Sequence, residues 1–563
     1  MLIRAINEDL FKSYSDDIPN FLKQIFASRN IKEDDLDLSI KNLIKPDFLN
    51  LDKALRLLEN ALIKQKKILI ISDFDADGAT ACAVSIRALK LMGAKHIDFL
   101  VPNRMLHGYG LSKKIVDIAY REKHPDLIIT VDNGIANIDG VELCHKYNIK
   151  VIITDHHLPA NELPNADAII NPNIDKNSKL KNLAGVGVSF YLFASLKTYL
   201  INKNYFNKNN ITIPNLISLL DLVALGTVAD VVKLDRNNRI LVNEGTKIIK
   251  NNKSCQGIKA LLDIAKINHL QFKASQFGFN IAPRINAAGR LSDISRGIRL
   301  LLTDDISIAK IYALELEELN IKRREKQAET EKQAEEILIT EKIKSDNYSI
   351  SLYSKNWHEG IIGIVAGKLK DKYKCPACVF ATTDGKYLKG SIRSISNVHI
   401  KDLLDMLDRK YPKLIESFGG HAMAAGLTIK KNDFEKFSKI FDKLIKKWLD
   451  NTPPNIEILT DGSLKTYDIT LENSIKIDQA GPWGSGFEEP CFYGNFEILN
   501  QQTIAEKHLK LQLKTSASNA IFNAIYFNSP PFDKTNIDIV YKLATNEYMG
   551  QTSLQLLIIE ELN

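Results

Sequence analysis

The segment Ile68-Leu69-Ile70-Ile71-Ser72-Asp73-Phe74-Asp75-Ala76-Asp77-Gly78 decides the fold of this chain. It begins with an apolar run typical of a buried strand in a parallel sheet, and three aspartates then alternate where that strand should meet a loop. The apolar run Leu127–Val131 ends in a similar way at Asp132. So does Val151–Ile153, which Asp155-His156-His157 follow after one threonine. Because ligands bind outside the carboxyl ends of strands in open α/β sheets, we expect these exits to converge on one divalent-metal site.

The acidic turn has three other interpretations. An EF-hand calcium loop opens with the same pattern, but its twelfth position must be a bidentate glutamate and is Val84 here. The residues from Asp75 to Thr80 also match the start of haloacid-dehalogenase-type phosphatases, which do not need a later pair of histidines. A single aspartate could cap the helix predicted over Gly78–Met92. Capping needs one carboxylate, whereas three on one tight turn repel each other unless a cation compensates.

The two adjacent histidines should have different roles. Consecutive residues leaving a strand point to opposite sides, so only one of them can readily face a given metal. We expect His156 to be the ligand and His157 to be a cationic or hydrogen-bonding partner of a phosphate oxygen. The reverse assignment stays open at this point.

Bulk properties set broad limits on the class of protein. The chain has 563 residues, too many for one hydrophobic core, and 45% are hydrophobic and 25% charged, as in ordinary globular proteins. Its formal net charge of +7 permits a polyanionic partner, but a solvated lysine face would explain it equally well. No secretion signal or membrane-spanning stretch is visible, so we expect a cytoplasmic protein with reduced thiols. The Cys375 and Cys378 pair lacks a second pair at zinc spacing.

Changes in composition predict a multidomain α/β protein. Ile306–Lys344 contains no glycine or proline and is rich in Glu, Lys, Gln and Ala, which predicts a long connecting helix. Short apolar runs alternate with helical stretches before it, as in a parallel sheet, and strand-like runs dominate the carboxy-terminal part. The predicted segments are an N-terminal cap (1–50), a parallel-sheet domain (51–305), the connecting helix (306–345), a smaller α/β domain (346–450) and a small all-β domain (451–563).

The motifs together resemble those of the DHH phosphoesterase superfamily. The four motifs are Asp73–Gly78, Val131–Gly134, Asp155–His157 and Leu220–Thr227. Five later motifs narrow the resemblance to the bacterial exonucleases of that superfamily: Leu183–Val188, Asn286–Arg290, Trp357–Ala366, Gly419–Gly426 and Gly481–Pro490. The resemblance implies a DHH catalytic domain, a DHH-associated domain that binds substrate, and a C-terminal OB-fold β-barrel.

The resemblance also implies the function. It indicates a 5′-to-3′ exonuclease on single-stranded DNA that releases mononucleotides in recombination and repair, with a repair helicase and a single-strand-binding protein as candidate partners of a monomer. Two cations would neutralise charge on the scissile phosphate and activate water. Carboxylate and imidazole ligands suit Mn²⁺, with Mg²⁺ as the second choice. The implied ligands are Asp75, Asp77, Asp132, His156 and Asp221, and Asp73 and His157 would assist the chemistry.

Substrate contacts are expected away from the metals. Resemblance places a 5′-phosphate pocket at Arg290, Ser391 and Arg393, whose guanidinium and hydroxyl groups suit a terminal phosphate. We expect Gly420 and His421 to form a tight turn that phosphates can approach, and Arg104 to guide the strand, although a surface ion pair explains an arginine equally well. Among the aromatic residues of the all-β domain, most should be core residues and a minority, with Trp483 as candidate, should stack on bases: Trp483, Phe487, Phe492, Tyr493 and Tyr526.

Two other functions share part of this evidence. A DHH-type pyrophosphatase or a nanoRNA or cyclic-dinucleotide phosphodiesterase would use the same metal chemistry, but it has no use for a long connecting helix and an extra β-domain. A non-catalytic replication scaffold would keep the fold and lose the ligands, whereas every expected ligand is present here.

Overall fold

The computed structural model describes residues 1–102, 110–340, 347–383, 385–454, 458–515, 519–548 and 551–562. These residues form two compact units. The first unit comprises residues 1–289, 293–316 and 459–563, and the second comprises residues 290–292 and 317–458. Within the described ranges, no helix combines the length and the apolar character needed to cross a membrane.

Helices and strands alternate along most of the chain. The helices are α1 Glu8–Ser13, α2 Asn20–Ser28, α3 Leu51–Ile63, α4 Ala76–Leu91, α5 Lys113–Ile118, α6 Ile138–Lys146, α7 Gly185–Asn202, α8 Tyr205–Lys208, α9 Leu220–Ala229, α10 Arg236–Lys250, α11 Gln256–Ile264, α12 Ala282–Leu291, α13 Ser295–Leu302, α14 Ile306–Thr340, α15 Ile362–Tyr373, α16 Ile400–Lys410, α17 Phe434–Trp448 and α18 Leu471–Ala480. The strands are β1 Leu2–Ile3, β2 Ile68–Ser72, β3 Ile97–Leu100, β4 Leu127–Val131, β5 Lys150–Thr154, β6 Ala168–Ile170, β7 Ile350–Ser354, β8 Ala377–Thr382, β9 Tyr387–Arg393, β10 Ser417–Gly420, β11 Ala424–Lys430, β12 Leu459–Thr460, β13 Phe492–Ile504, β14 His508–Thr515, β15 Ile521–Tyr526, β16 Asn536–Tyr548 and β17 Gln551–Leu562.

A five-stranded parallel sheet organises the first unit. Its strand order is β3-β2-β4-β5-β6, and every neighbouring pair is parallel. All residues of β2 and β4 are buried, which explains why these strands are continuous apolar runs rather than alternating ones. The sheet confirms the predicted fold and places the carboxyl ends of β2, β4 and β5 side by side.

The carboxy-terminal strands β13 to β17 close into a barrel, in the order β13-β14-β15-β17-β16. Its core also contains Phe21, Ile25 and Phe26 of α2, from the N-terminal segment that the sequence predicts as a separate cap. β1 pairs with β12, and Arg29 forms a 3.0 Å ion pair with the buried Asp461. The N-terminal segment therefore completes the barrel domain at the opposite end of the sequence.

The second unit is a mixed sheet covered by helices. Its strand order is β10-β11-β9-β8-β7, in which only β7 and β8 are parallel. Residues of α16 and α17 form a core with β8, β9 and β11. Residues of α15 belong to a second core with β7 and β8. The predicted long helix is present as α14, whose residues are shared between the two units.

Candidate metal centre and substrate-binding residues

The acidic turn after β2 is shaped by backbone hydrogen bonds. Asp75 caps α4, because its Oδ1 accepts hydrogen bonds from the N–H groups of Asp77 (2.9 Å) and Gly78 (3.0 Å). A Cβ at Gly78 would lie 2.6 Å from the carbonyl oxygen of Asp73, so the turn requires glycine. Asp73 is buried, and its Oδ1 has no hydrogen-bond partner among the described residues. The capping interpretation therefore holds for one aspartate and leaves the others to be explained.

The N-terminus of α7 holds a second aspartate of this turn. The carboxylate of Asp77 accepts hydrogen bonds from the N–H groups of Gly185 (2.6 Å) and Val186 (2.9 Å). A Cβ at Gly185 would lie 2.5 Å from the Cβ of Asp132 and 2.6 Å from its Oδ1. Gly185 thus lets the start of α7 reach both aspartates, a role that sequence reasoning did not assign to the motif containing it.

Asp132 and His156 come from the exits of β4 and β5. Asp132 adopts a left-handed backbone conformation (φ 62°), which is uncommon for a residue other than glycine. The next residue, Asn133, anchors this exit by donating hydrogen bonds to the carbonyl oxygens of Ile71 (3.1 Å) and Val131 (2.9 Å). His156 Nε2 lies 3.2 Å from Asp132 Oδ1 and 3.5 Å from Asp230 Oδ2. These contacts tie three separate chain segments to one imidazole.

Asp155 organises the loop that carries both histidines. Its Oδ1 accepts hydrogen bonds from the N–H groups of His156 (2.8 Å) and His157 (3.1 Å), and its Oδ2 from the N–H of Ile135 (2.9 Å). His157 Nδ1 also lies 2.7 Å from Asp155 Oδ1. Burial lowers the pKa of His157, but the hydrogen bond and charge of Asp155 more than compensate and raise it to about 9. Asp155 therefore fixes the ring of His157 instead of facing the other carboxylates.

Three overlapping groups of side chains have the spacing needed to hold cations. They are Asp132 with His156 and His157; Asp77 with His156 and Asp230; and Asp73 with Asp75 and Asp132. Within each group the candidate ligand atoms lie within 4.8 Å of one another. Asp132 and His156 each belong to two groups, so the groups form one continuous site. The structure thus brings together all the predicted metal-site and catalytic residues except Asp221.

The prediction for Asp221 needs correction, because Asp230 takes its place. Asp221 lies in the first turn of α9, where its carboxylate accepts hydrogen bonds from the N–H groups of Cys255 and Leu222, both 2.8 Å. Asp230 follows the other end of this helix, and about 1.5 Å per residue separates the two positions by roughly 14 Å. The signal available in the sequence was position: Asp221 is inside an apolar helix, whereas Asp230 follows it, as the other candidate ligands follow strands.

The electrostatics of the cluster favour a bound cation. Burial, and then the charge of Asp75, raises the pKa of Asp77 to about 7, and burial with the charges of Asp77 and Asp75 raises the pKa of Asp230 to about 9. The pKa values of Asp73 and Asp132 also rise, mainly through burial. Divalent cations reverse this effect by stabilising the ionised carboxylates. The mixture of carboxylates and imidazole, together with the unpartnered Asp73 oxygen, fits Mn²⁺ or Mg²⁺.

Helix α12 supports the acidic turn from outside the cluster. Asn286 Oδ1 accepts a 2.8 Å hydrogen bond from the N–H of Ala76. A Cβ at Gly289 would collide with the carbonyl oxygen of Phe74, so only glycine permits this approach. The motif that ends at Arg290 therefore has a positioning role in the first unit, in addition to the role predicted for the arginine.

The predicted phosphate-binding residues lie in the second unit. Arg393 Nη1 donates a 3.1 Å hydrogen bond to Ser391 Oγ, and Arg290 Nη1 donates one of 3.1 Å to the carbonyl oxygen of Gly360. A Cβ at Gly363 would lie 3.0 Å from Ser391 Oγ and 3.1 Å from Arg393 Nη2. Ser391 and Arg393 therefore contact each other beside the first turn of α15, and Arg290 contacts the loop that leads into this helix.

Three other predicted contacts have different outcomes. Gly420 is the last residue of β10, and the N–H of His421 donates a 2.8 Å hydrogen bond to Ala424, which closes a hairpin turn. Trp483 is corrected to a packing residue: its indole N–H donates to the carbonyl oxygen of Ile477 (2.8 Å) and its ring stacks on Phe487 at 4.6 Å. Arg104 lies outside the described residues.

A parallel sheet with acidic strand exits, followed by a second α/β unit and a barrel, defines the DHH class of proteins. Models of known families agree: the DHH family N-terminal domain matches residues 67–227, the DHHA1 domain residues 345–447 and the RecJ OB domain residues 460–560. The single-stranded-DNA-specific exonuclease RecJ of Escherichia coli K12 is 43% identical over 554 residues, covering 96% of each chain. The chain belongs to the RecJ family.

Solved structures show the same architecture. The crystal structure of RecJ from Thermus thermophilus in complex with Mn²⁺ superposes with a TM-score of 0.80 and 24% identity, covering 100% of this chain and 79% of that one. An exonuclease RecJ bound to manganese gives a TM-score of 0.58 and 30% identity, covering 73% of this chain and 97% of that one. The three-part fold is therefore that of the family.

Proposed function

We propose that this protein is a metal-dependent exonuclease that degrades single-stranded DNA from the 5′ end and releases mononucleotides. The observation that carries the proposal is the overlap of three candidate ligand groups through Asp132 and His156. Membership of the RecJ family supports the substrate, because relatives at 43% identity are single-stranded-DNA-specific exonucleases. The repair helicase and the single-strand-binding protein remain predicted partners.

The residues of the metal centre divide the work. When bound, two Mn²⁺ or Mg²⁺ ions supply an activated water and neutralise charge on the scissile phosphate. Asp73, Asp75, Asp77, Asp132, His156 and Asp230 would hold them. His157 is fixed by Asp155 and is therefore positioned to donate a hydrogen bond to a phosphate oxygen. The strand exits hold these groups in place before substrate arrives, so little reorganisation is needed during the reaction.

A matched pair of variants tests the metal centre. Asp230→Asn should lose most activity and weaken Mn²⁺ binding measured on the full-length protein, since it removes a charged ligand. Asp221→Asn, at the other end of the same helix, should retain activity and Mn²⁺ binding. The nuclease assay uses end-labelled single strands of both polarities with a chelator control. Activity that persists in Asp230→Asn and disappears in Asp221→Asn would reverse the correction, and cleavage from the 3′ end would contradict the polarity.

In the second unit, we assign a 5′-phosphate pocket to Ser391, Arg393 and Arg290. Ser391 pairs across the sheet with Gly426, which pairs in turn with Gly419. A Cβ at Gly419 would meet nothing within 4 Å, and one at Gly426 would meet only Gly390, at 3.9 Å. The two glycines thus leave a smooth, open backbone surface beside the hydroxyl and guanidinium groups, which suits a terminal nucleotide.

The outer face of the barrel is our candidate for binding the rest of the strand. Lys510 and Gln512 on β14 and Asn523 on β15 are exposed in neighbouring rows of this face. Phe527 follows β15 with 50% of its surface exposed, and its ring lies 5.0 Å from that of His508. Basic and amide side chains with an exposed ring are what a sequence-tolerant single-strand site requires. Phe527 takes the stacking role that the sequence analysis gave to Trp483.

A substrate-length series separates this proposal from the dinucleotide phosphodiesterase. The exonuclease should cleave long single strands at least as well as dinucleotides, because the barrel contributes binding only to long substrates. Strong preference for dinucleotides would favour the alternative function, and no cleavage of any length with Mn²⁺ would favour the scaffold.

A further inference from the structure

Asn238 connects two chain segments that support the metal centre. This side chain is fully buried in the first turn of α10. Its Nδ2 donates hydrogen bonds to the carbonyl oxygens of Lys233 (2.8 Å) and Asn182 (2.6 Å). Its own N–H donates to Asp235 Oδ1 (3.0 Å), and the Oδ2 of the same carboxylate accepts from Asn182 Nδ2 (2.9 Å). One buried polar node therefore joins two loops that are distant in sequence.

Each of these loops leads to a candidate metal ligand. Lys233 lies three residues after Asp230, whose carboxylate belongs to one of the ligand groups. Asn182 lies three residues before Gly185, whose N–H donates to Asp77. The node thus fixes the spacing between the supports of Asp230 and Asp77, although it contacts neither carboxylate.

The loop that opens the barrel domain holds the first of these segments from the other side. The N–H of Leu234 donates a 2.7 Å hydrogen bond to the carbonyl oxygen of Ser485. A Cβ at Gly484 would lie 2.6 Å from Leu234 Cδ1, and one at Gly486 would lie 2.6 Å from Lys233 Cγ. The two glycines therefore let the barrel loop approach the backbone that follows Asp230.

A strained residue explains why this segment needs external support. Val231 directly follows Asp230 and has a φ of 61° with 67% of its surface exposed. A β-branched residue is a genuine outlier in this conformation, and such residues persist only where the surrounding structure over-determines them. Held by its neighbours on both sides, the segment keeps Asp230 turned toward His156.

We propose that Asn238 and the Gly484–Gly486 loop form a bracket that positions Asp230 and Asp77 and thereby sets the affinity of the metal centre. This inference rests on the proposed metal-dependent nuclease. It gives the barrel domain a second role, because its opening loop would act on the catalytic metals as well as on the position of the DNA strand. Asn238 is in these terms a positioning residue.

The test measures Mn²⁺ binding directly on full-length protein without DNA, by the paramagnetic resonance signal of free Mn²⁺. Asn238→Ala should weaken Mn²⁺ binding about tenfold, as losses of outer hydrogen bonds at metal sites do. Turnover should recover at saturating Mn²⁺, which loss of the fold would not allow. The control is Asn243→Ala in the same helix, whose Nδ2 donates a single 3.5 Å bond to Leu38 and which should bind Mn²⁺ normally.

A rescue variant separates positioning from general destabilisation. Val231→Gly removes the strain, since glycine adopts positive φ readily, so Asn238→Ala should weaken Mn²⁺ binding less in that background than in the wild type. Gly486→Ala provides a second route to the same loss should Asn238→Ala not fold. Wild-type Mn²⁺ affinity in Asn238→Ala or in Gly486→Ala would overturn the bracket. Normal Mn²⁺ binding by a wild-type protein that cleaves no DNA would refute the proposed function and leave the bracket standing.

Discussion

Gly185→Ala tests how closely the metal centre is packed. The new methyl group would lie 2.5 Å from Asp132 Cβ, whereas ordinary contact begins at 3.4 Å. Asp132 must therefore move by about 1 Å, and a displacement of this size lowers turnover about 100-fold. That factor corresponds to roughly 2.7 kcal/mol of transition-state stabilisation. Asp132 has little freedom to relax, because its own N–H donates to Thr154 (3.0 Å) and Asn133 anchors the next position.

The substitution isolates this displacement from other effects. Alanine keeps the N–H that donates to Asp77, and it favours a helix over glycine by about 1 kcal/mol, so the thermal stability of α7 should not fall. The assay is nucleotide release from end-labelled single strands at saturating Mn²⁺, with a parallel Mn²⁺ titration. Gly187→Ala is the control, because its methyl would lie 3.0 Å from the flexible end of Leu183. Unchanged turnover and Mn²⁺ dependence in Gly185→Ala, or an equal loss in Gly187→Ala, would refute the reasoning.

Three further predictions concern other parts of the chain. Arg393→Ala should reduce the preference for a 5′-phosphate over a 5′-hydroxyl end about tenfold, since a hydrogen bond to a charged group contributes about 1.5–3 kcal/mol; Lys389→Ala, which removes a charge from the same strand, should not, and unchanged preference in Arg393→Ala would remove the pocket. Phe527→Ala should weaken binding of single-stranded DNA about tenfold, because a stacked base contributes about 1–3 kcal/mol, whereas Tyr467→Ala, at a ring that is 70% exposed outside the barrel strands, should have no effect; an equal loss in both would contradict the assignment. Burial raises the pKa of Asp221 from 3.8 to about 6, so wild-type stability falls as pH rises through that interval. The melting temperature of Asp221→Asn relative to wild type should therefore rise over the same interval and then level off, and a constant offset would show that the carboxylate does not titrate there.

The parallel sheet could be predicted because its signals are local. Strands buried on both faces must be apolar throughout, so β2 and β4 stand out from the polar residues that follow them. The position of the site at their carboxyl ends then follows from the geometry of parallel sheets. Four of the five predicted metal ligands lie in the observed cluster for this reason.

The remaining features depend on contacts between distant segments. Residues 1–50 complete the barrel core through Phe21 and Ile25, and an amphipathic helix carries no label for the partner that covers its apolar face. The exchange of Asp221 for Asp230 has a related cause. Both residues belong to one short motif, and only the extent of α9 shows which end of the helix points toward the strand exits.

The metal centre is built from backbone contacts as much as from side chains. Asp75 is fixed by the first turn of α4, Asp77 by the N-terminus of α7, and Asp132 by its own left-handed conformation. Each of these supports belongs to a different element, and close approach at Gly78 and Gly185 brings the elements together. A cluster of buried carboxylates is unfavourable without cations, so the fold must hold these groups in place against their mutual repulsion. The supports are therefore as necessary as the ligands, and substitutions of glycines and buried amides should affect metal binding even though these residues donate no ligand atom.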